Sequence, residues 1–185
     1  MTAPALPAGW VAMNPIPGDG EMFRTSTDTP DSPPNAVVLT DQDGISDKVL
    51  DTPSFVISSA TAQITFRNNY DMELSDAAYD GCVLEVSSPN INGGAFTDIT
   101  NAAVGGSFVS GGYNSTIFIG AQNPLSGRMA WGGTSGGYIT TVANLGPNVN
   151  GQTIKLRFRM GTDEAEAAPG WKIDNVNITN ATCAP

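Results

Sequence analysis

The side chains able to do chemistry in this chain are carboxylates. Asp174 stands in Trp171-Lys172-Ile173-Asp174-Asn175-Val176-Asn177-Ile178, an otherwise apolar closing stretch. An unpaired charge buried there is costly enough that either a cation or a cluster of protein donors is expected beside it. Asp41-x-Asp43-Gly44 has the opening spacing of a calcium loop but lacks that loop's downstream bidentate glutamate; the competing reading is a solvated Asp-Gly turn. Asp71 with Glu73, and Asp163 with Glu164, are further acidic pairs in loops. Carboxylate, amide and carbonyl oxygens are the hard ligands calcium takes, so calcium is the cofactor these residue types allow. The metal-ligand candidates are Asp174, Asp41, Asp43 and Asp71.

The residues that are missing narrow the chemistry. The chain has no histidine, which removes the commonest general base, the Ser/His and Cys/His nucleophile pairs, and most zinc and copper sites. Its Gly-Gly pairs lack the strand-to-helix setting of a phosphate loop. Two acids across a cleft would suffice for glycoside hydrolysis, but no pair is singled out, and a non-catalytic role is expected. Exposed rings can stack sugars, and Trp10, Trp131 and Trp171 are the tryptophans available. Trp131, Tyr113 and Trp10 are the ligand-binding candidates, with core or loop anchoring as the ordinary use of such rings. Arg67, Arg157 and Arg159 fall on outward strand positions, where cross-strand ion pairing is expected.

The elements that must carry these residues read as strands. In Gly151 to Met160, Ile154, Leu156, Phe158 and Met160 alternate with Lys155, Arg157 and Arg159, the period of a half-buried antiparallel strand. In the closing stretch the apolar phase shifts after Ile173, which predicts a bulge or a strand covered on both faces. Further strands are predicted at Ala36 to Leu39, Phe55 to Ile57, Ala62 to Arg67, Cys82 to Ser87 and Tyr138 to Val142, with Gly93-Gly94 as a hairpin turn. Residues 41–47 read as a turn, 68–80 as a polar loop and 105–137 as a long Gly/Ser/Asn-rich loop. Residues 1–35 read as an ordered arm with an edge strand.

With 21 Gly and 13 Pro and hardly a stretch fit for a helix, the 185 residues predict one all-β domain with long loops. Eighteen acids against eight bases give a net charge of −10, which disfavours nucleic acid and anionic lipid. Met1-Thr-Ala-Pro-Ala lacks the parts of a signal peptide, and no run approaches a membrane span. An excised or mature extracellular segment is expected. Cys82 and Cys183 lie about 100 residues apart. A disulfide between them would contribute roughly 4 to 5 kcal/mol by loop closure; the alternative is a buried Cys82 and a free Cys183.

A series of motifs adds to this reading. Leu6-Pro7-Ala8-Gly9-Trp10, Thr65-Phe66-Arg67 leading to Tyr70-Asp71, Tyr79-Asp80-Gly81-Cys82-Val83-Leu84-Glu85, Gly93-Gly94-Ala95-Phe96-Thr97-Asp98, Gly111-Gly112-Tyr113-Asn114, Leu156-Arg157-Phe158-Arg159-Met160-Gly161-Thr162-Asp163 and Gly170-Trp171-Lys172-Ile173-Asp174-Asn175-Val176 occur in this order. The series resembles the MAM-like jelly-roll modules of bacterial secreted proteins, including the choice-of-anchor J type and the accessory domain of immune-inhibitor-type metallopeptidases.

The resemblance implies a two-sheet antiparallel jelly-roll β-sandwich beside other domains or surface anchors. It also implies a calcium ion between the first and last strands, with Asp174 as the matching ligand. Relatives carry a Phe-Glu pair before Leu-Pro-x-Gly-Trp, where this chain has Thr2-Ala3-Pro4-Ala5. Cys82 stands where relatives carry glycine, which favours a disulfide peculiar to this chain. The expected role is an extracellular accessory module for adhesion, ligand binding or spacing, with a glycan or protein at the cell surface and neighbouring domains as partners. The alternatives are a carbohydrate-binding module and a fibre subunit that self-associates through edge strands or the N-terminal arm.

Overall fold

The ten-residue alternation over Ile154, Leu156, Phe158 and Met160 builds the longest strand, and both sheets are arranged around what that strand buries. A computed structural model describes residues 2–16, 20–120 and 122–184. Its strands are β1 (Val11–Ile16), β2 (Arg24–Ser26), β3 (Ala36–Leu39), β4 (Ser46–Asp51), β5 (Phe55–Ile57), β6 (Gln63–Asp71), β7 (Gly81–Ser87), β8 (Thr97–Asp98), β9 (Ser107–Ser110), β10 (Ser115–Thr116), β11 (Met129–Ala130), β12 (Ile139–Asn144), β13 (Thr153–Thr162), β14 (Gly170–Ile178) and β15 (Ala181–Cys183). Apart from these, only two short 3-10 turns are regular among the described residues.

In the first sheet β13 is central. β7 and then β8 lie on one side of it, and β4 and β5 on the other, flanked by β1 and β15. The second sheet runs β2-β3-β14-β6-β12-β9, and every pairing between these strands is antiparallel. The fold is an antiparallel jelly-roll sandwich. Its core is aromatic: Phe66 meets Trp131 at 5.8 Å and Phe158 at 5.2 Å, and Trp171 lies 5.7 Å from Phe158 and 5.9 Å from Trp131. These edge-on and tilted contacts fill the space between the sheets.

Most predicted strands hold to within a few residues, and Ala36–Leu39 and Phe55–Ile57 keep their predicted ends. The phase shift after Ile173 is a bulge, with Asn175 at φ 52 between the Asp174 and Asn177 pairings to β6. Gly93 and Gly94 form a 3-10 turn, and β8 then pairs back on β7. The strand that composition concealed is β4, whose sequence Ser46-Asp47-Lys48-Val49-Leu50-Asp51 is half charged. Asp47 and Asp51 are accepted there because Arg159 and Arg157 of β13 pair with them at 2.8 and 2.6 Å. The predicted outward arginine pairs are thus present, with Arg67 bound to Asp31 at 2.9 Å.

The Cys82–Cys183 disulfide is not formed; both cysteines are free. β13 and β5 stand between β7 and β15, which separates the two strands by about 14 Å at ordinary strand spacing. A disulfide needs Cα atoms about 4.4 to 6.8 Å apart. Cys82 faces the core at 0% exposure beside Trp131, and Cys183 is exposed opposite Phe55. The outer edge strands are short or broken: β1 contains Pro15 and a register shift, β9 a register shift, and β2, β8 and β15 have three residues or fewer. Such edges are poor templates for open-ended strand pairing.

Two outcomes are expected. A thiol reagent should titrate one cysteine in the native protein and two after unfolding without reductant. Trp131→Ala should cost about 3 to 5 kcal/mol in denaturant unfolding, as for other large-to-small core substitutions.

Candidate metal centre

Three connections bring carboxylates to one end of the sandwich. Asp41 follows β3, Glu73 and Asp80 bracket the β6–β7 loop, and Asp163 follows β13. Glu73, Asp80 and Asp163 each offer an oxygen within 4.8 Å of the others, and Asp41 joins them through the backbone N–H of Glu73, which donates to Asp41 Oδ2 at 3.2 Å. Asp41 is 1% exposed, Asp80 0% and Asp163 6%.

Backbone donors meet part of this charge. Asp163 N–H donates to Asp80 Oδ1 at 2.7 Å, and Ala165 N–H to Asp163 Oδ1 at 3.0 Å. Asp41 Oδ1, Glu73 Oε2 and Asp80 Oδ2 are buried with no hydrogen-bond partner. No lysine or arginine among the described residues forms an ion pair with any of the four acids. Orphaned acceptors are expensive to bury, and these three belong to one acidic group. The converging oxygens of Glu73, Asp80 and Asp163 are the hard ligands calcium takes, so this donor set fits calcium, with Asp41 facing Asp80 beside it.

Electrostatics carry the same message. Burial, followed by the charge of Asp163, pushes Asp41 up to about 6. Burial, with Asp163, Glu166 and Asp41 nearby, raises Glu73 to about 7. Burial and the facing Asp41 raise Asp80 to about 9.

The local sequence explains the close approach. Asn123, 4% exposed, donates from Nδ2 to Tyr79 O at 2.8 Å and to Gly161 O at 2.7 Å, and it accepts from Leu125 N–H at 2.7 Å. It pegs residues 122–127 to the backbone beside two of the acids. A Cβ at Gly161 would collide with Asn123 Oδ1, and one at Gly170, where φ is +94, would collide with the carbonyl oxygen of Leu39. Glycine is what lets β13 and β14 pass this close.

The four metal-ligand candidates from sequence separate. Asp41 faces Asp80 beside the three converging acids. Asp43 is an exposed residue of its turn, the solvated alternative, and Asp71 sits at the end of β6 opposite Gly170, outside the cluster. Asp174, 9% exposed, is also outside it, and protein donors meet its carboxylate: Ser32 N–H at 2.8 Å and Asn175 N–H at 2.7 Å. Of the loop pairs, Glu73 and Asp163 enter the cluster, whereas Glu164 is exposed and accepts from Gln122 Nε2. Sequence reasoning missed Asp80. The signal that could have found it is its place in Tyr79-Asp80-Gly81, directly before a buried strand.

The aromatic candidates separate too. Trp131 is 0% exposed and donates from Nε1 to Gly111 O at 2.9 Å, so it offers no face to a ligand. Tyr113 is half-buried, with its hydroxyl accepting from Leu84 N–H at 2.9 Å and lying 3.2 Å from Asp98 Oδ2; it is an anchor. Trp171 is buried against Phe158. Trp10, like Tyr113, is partly buried, and it is the one tryptophan of the three that is not fully buried.

The raised acids predict a pH dependence for the metal-free protein. The folded values of about 6, 7 and 9 lie above the ordinary carboxylate value near 4, so the folded chain holds protons the unfolded chain has released. Stability present below about pH 4 is therefore lost as pH rises through 6, 7 and 9. In chelator the thermal midpoint should fall between pH 5 and 9, and Asp80→Asn should flatten the upper part of that fall.

No family model and no curated protein matches the chain. Among solved structures, the K1 cleaved adhesin domain of Lys-gingipain from Porphyromonas gingivalis matches with a TM-score of 0.54 at 19% identity, over 94% of this chain and 92% of that one. The K2 cleaved adhesin domain of Lys-gingipain matches with a TM-score of 0.51 at 18% identity, over 94% and 89%. At these identities the likeness is one of fold: the chain shares its sandwich with adhesin domains.

Proposed function

We propose that this chain is a non-catalytic extracellular accessory module, serving adhesion or ligand binding in a larger secreted or surface protein, and that calcium bound by Asp41, Glu73, Asp80 and Asp163 holds one end of it rigid. The observation that carries this reading is the set of three buried, orphaned oxygens on Asp41, Glu73 and Asp80. Asp41, Asp80 and Asp163 are only 1%, 0% and 6% exposed, with Glu73 alone partly exposed, so the cluster suits a resident ion better than a glycosidic acid–base pair. An ion there would tie together the β3–β4, β6–β7 and β13–β14 connections and, through Asn123, residues 122–127. The MAM-like motifs and the adhesin-type fold support the accessory role.

The test is thermal unfolding at pH 7.5 in calcium and in chelator. A wild-type midpoint several degrees higher in calcium is expected from mass-action linkage. Asp80→Asn should lose most of that rise and Asp174→Asn should keep it. A wild-type midpoint indifferent to calcium would overturn the metal assignment. A rise that Asp174→Asn abolishes would move the ion to the closing strand.

A further inference from the structure

The bulge at Asn175 leaves part of β14 without a neighbour. β3 pairs with β14 only at Trp171, Lys172 and Ile173, whereas β6 continues on the other side to Asn177 and Ile178. Ser32 and Asp31 lie against Asp174 and Asn175, whose own amide donates to Asp174 Oδ1, and from Val176 to Ile178 the β3-side edge is flanked by no strand among the described residues. A groove between the two sheets runs beside this segment. It holds two cavities of about 260 Å³ and 240 Å³, with Trp10 and Val176 lining both. The first also touches Pro7, Val37 and Ile173, and the second Phe55, Ile178 and Ala181.

We propose that this groove binds an extended peptide of a partner protein, which adds a strand to the open edge of β14 and places apolar side chains at positions i and i+2 on either side of Trp10. The proposal names the ligand class within the ligand-binding reading above and does not depend on the metal. An open strand edge is recognised by another strand, whose alternate side chains enter pockets. Side chains two residues apart on a strand are about 7 Å apart, a spacing that straddles one indole ring.

The electrostatics add a requirement. Asp174 lines the first cavity, and no lysine or arginine among the described residues forms an ion pair with it. A lysine or arginine flanking the apolar pair complements that carboxylate and the chain's net charge of −10.

The experiment pans a phage-displayed random octapeptide library against the calcium-loaded full chain, with Val176→Arg and Ala181→Arg chains of native thermal midpoint as counter-targets. Enriched sequences should alternate apolar residues and carry Lys or Arg. A synthetic peptide of the enriched sequence should bind at least tenfold more weakly to both variants. It should also lose at least tenfold when N-methylated in one of its two alternating registers, and should protect amides of Val176 to Ile178 from hydrogen exchange. No enrichment, binding indifferent to both groove variants, or binding that survives N-methylation in both registers would overturn the proposal. Protection of the same amides by xylo- or cello-oligosaccharides, without peptide binding, would overturn it in favour of a glycan groove while leaving the ligand-binding reading standing.

Discussion

Four carboxylates at one end of a dry sandwich are the constraint on which the rest of this structure turns. Two unit charges 4.8 Å apart repel by about 3.5 kcal/mol at an effective dielectric near 20, and each acid also loses its hydration on burial. Such a group persists only if protons or a cation neutralise it. The surrounding sequence accommodates the crowding in detail: Gly161 admits the Asn123 side chain and Gly170 the backbone of Leu39, Asn123 bonds the β6–β7 loop, β13 and its own loop, and Asp163 presents its own amide to Asp80. The raised carboxyl groups hold protons for this reason, and a bound cation would take their place.

The remainder of the first sheet treats charge differently. On its outer face Arg157 pairs with Asp51, Arg159 with Asp47 and Glu85, and Arg128 with Glu85 and Asp98. Exposed pairs taken singly contribute little, but here they link β4, β13, β7 and β8, and a one-residue slip of any strand would turn its charges into the core. Specifying register is therefore a larger part of their effect than net stability. The inner face carries the apolar complement, in which Trp131, although it enters from a loop, packs with Phe66, Phe108, Tyr113 and Trp171.

β14 connects the two regions of interest. It begins at Gly170, against the backbone of Leu39 and Asp41, and ends at Ile178 beside the groove. Between them the bulge at Asn175 ends the pairing with β3 and directs Asp174 to the amide of Ser32. One strand thus runs from the rigid, charge-dense end of the sandwich to its most open edge. Binding sites carried on well-ordered strands hold their geometry better than sites carried on loops alone.

Much of this was legible in the chain. Strict alternation from Ile154 to Met160 fixes a half-buried strand, the phase shift after Ile173 marks a bulge or a strand covered on both faces, and the density of glycine and proline with little helix-forming sequence points to an all-β chain with long loops. Each is a property of neighbouring residues, which local sequence records. The lack of histidine and the surplus of acids likewise single out oxygen ligation, and Asp41, Glu73 and Asp163 were visible as acids in loops. Tertiary structure alone decided the rest. Strand β4 looks too charged to be one until Arg157 and Arg159 lie beside it. Trp131 reads the same in a sequence whether it stacks on a sugar or fills the core. Cys82 and Cys183 are kept apart by β13 and β5, a fact of strand order rather than of spacing along the chain. Asp80 becomes a ligand candidate, and Asp174 ceases to be the principal one, because contacts between distant segments determine which carboxylate finds backbone donors and which is left facing other acids.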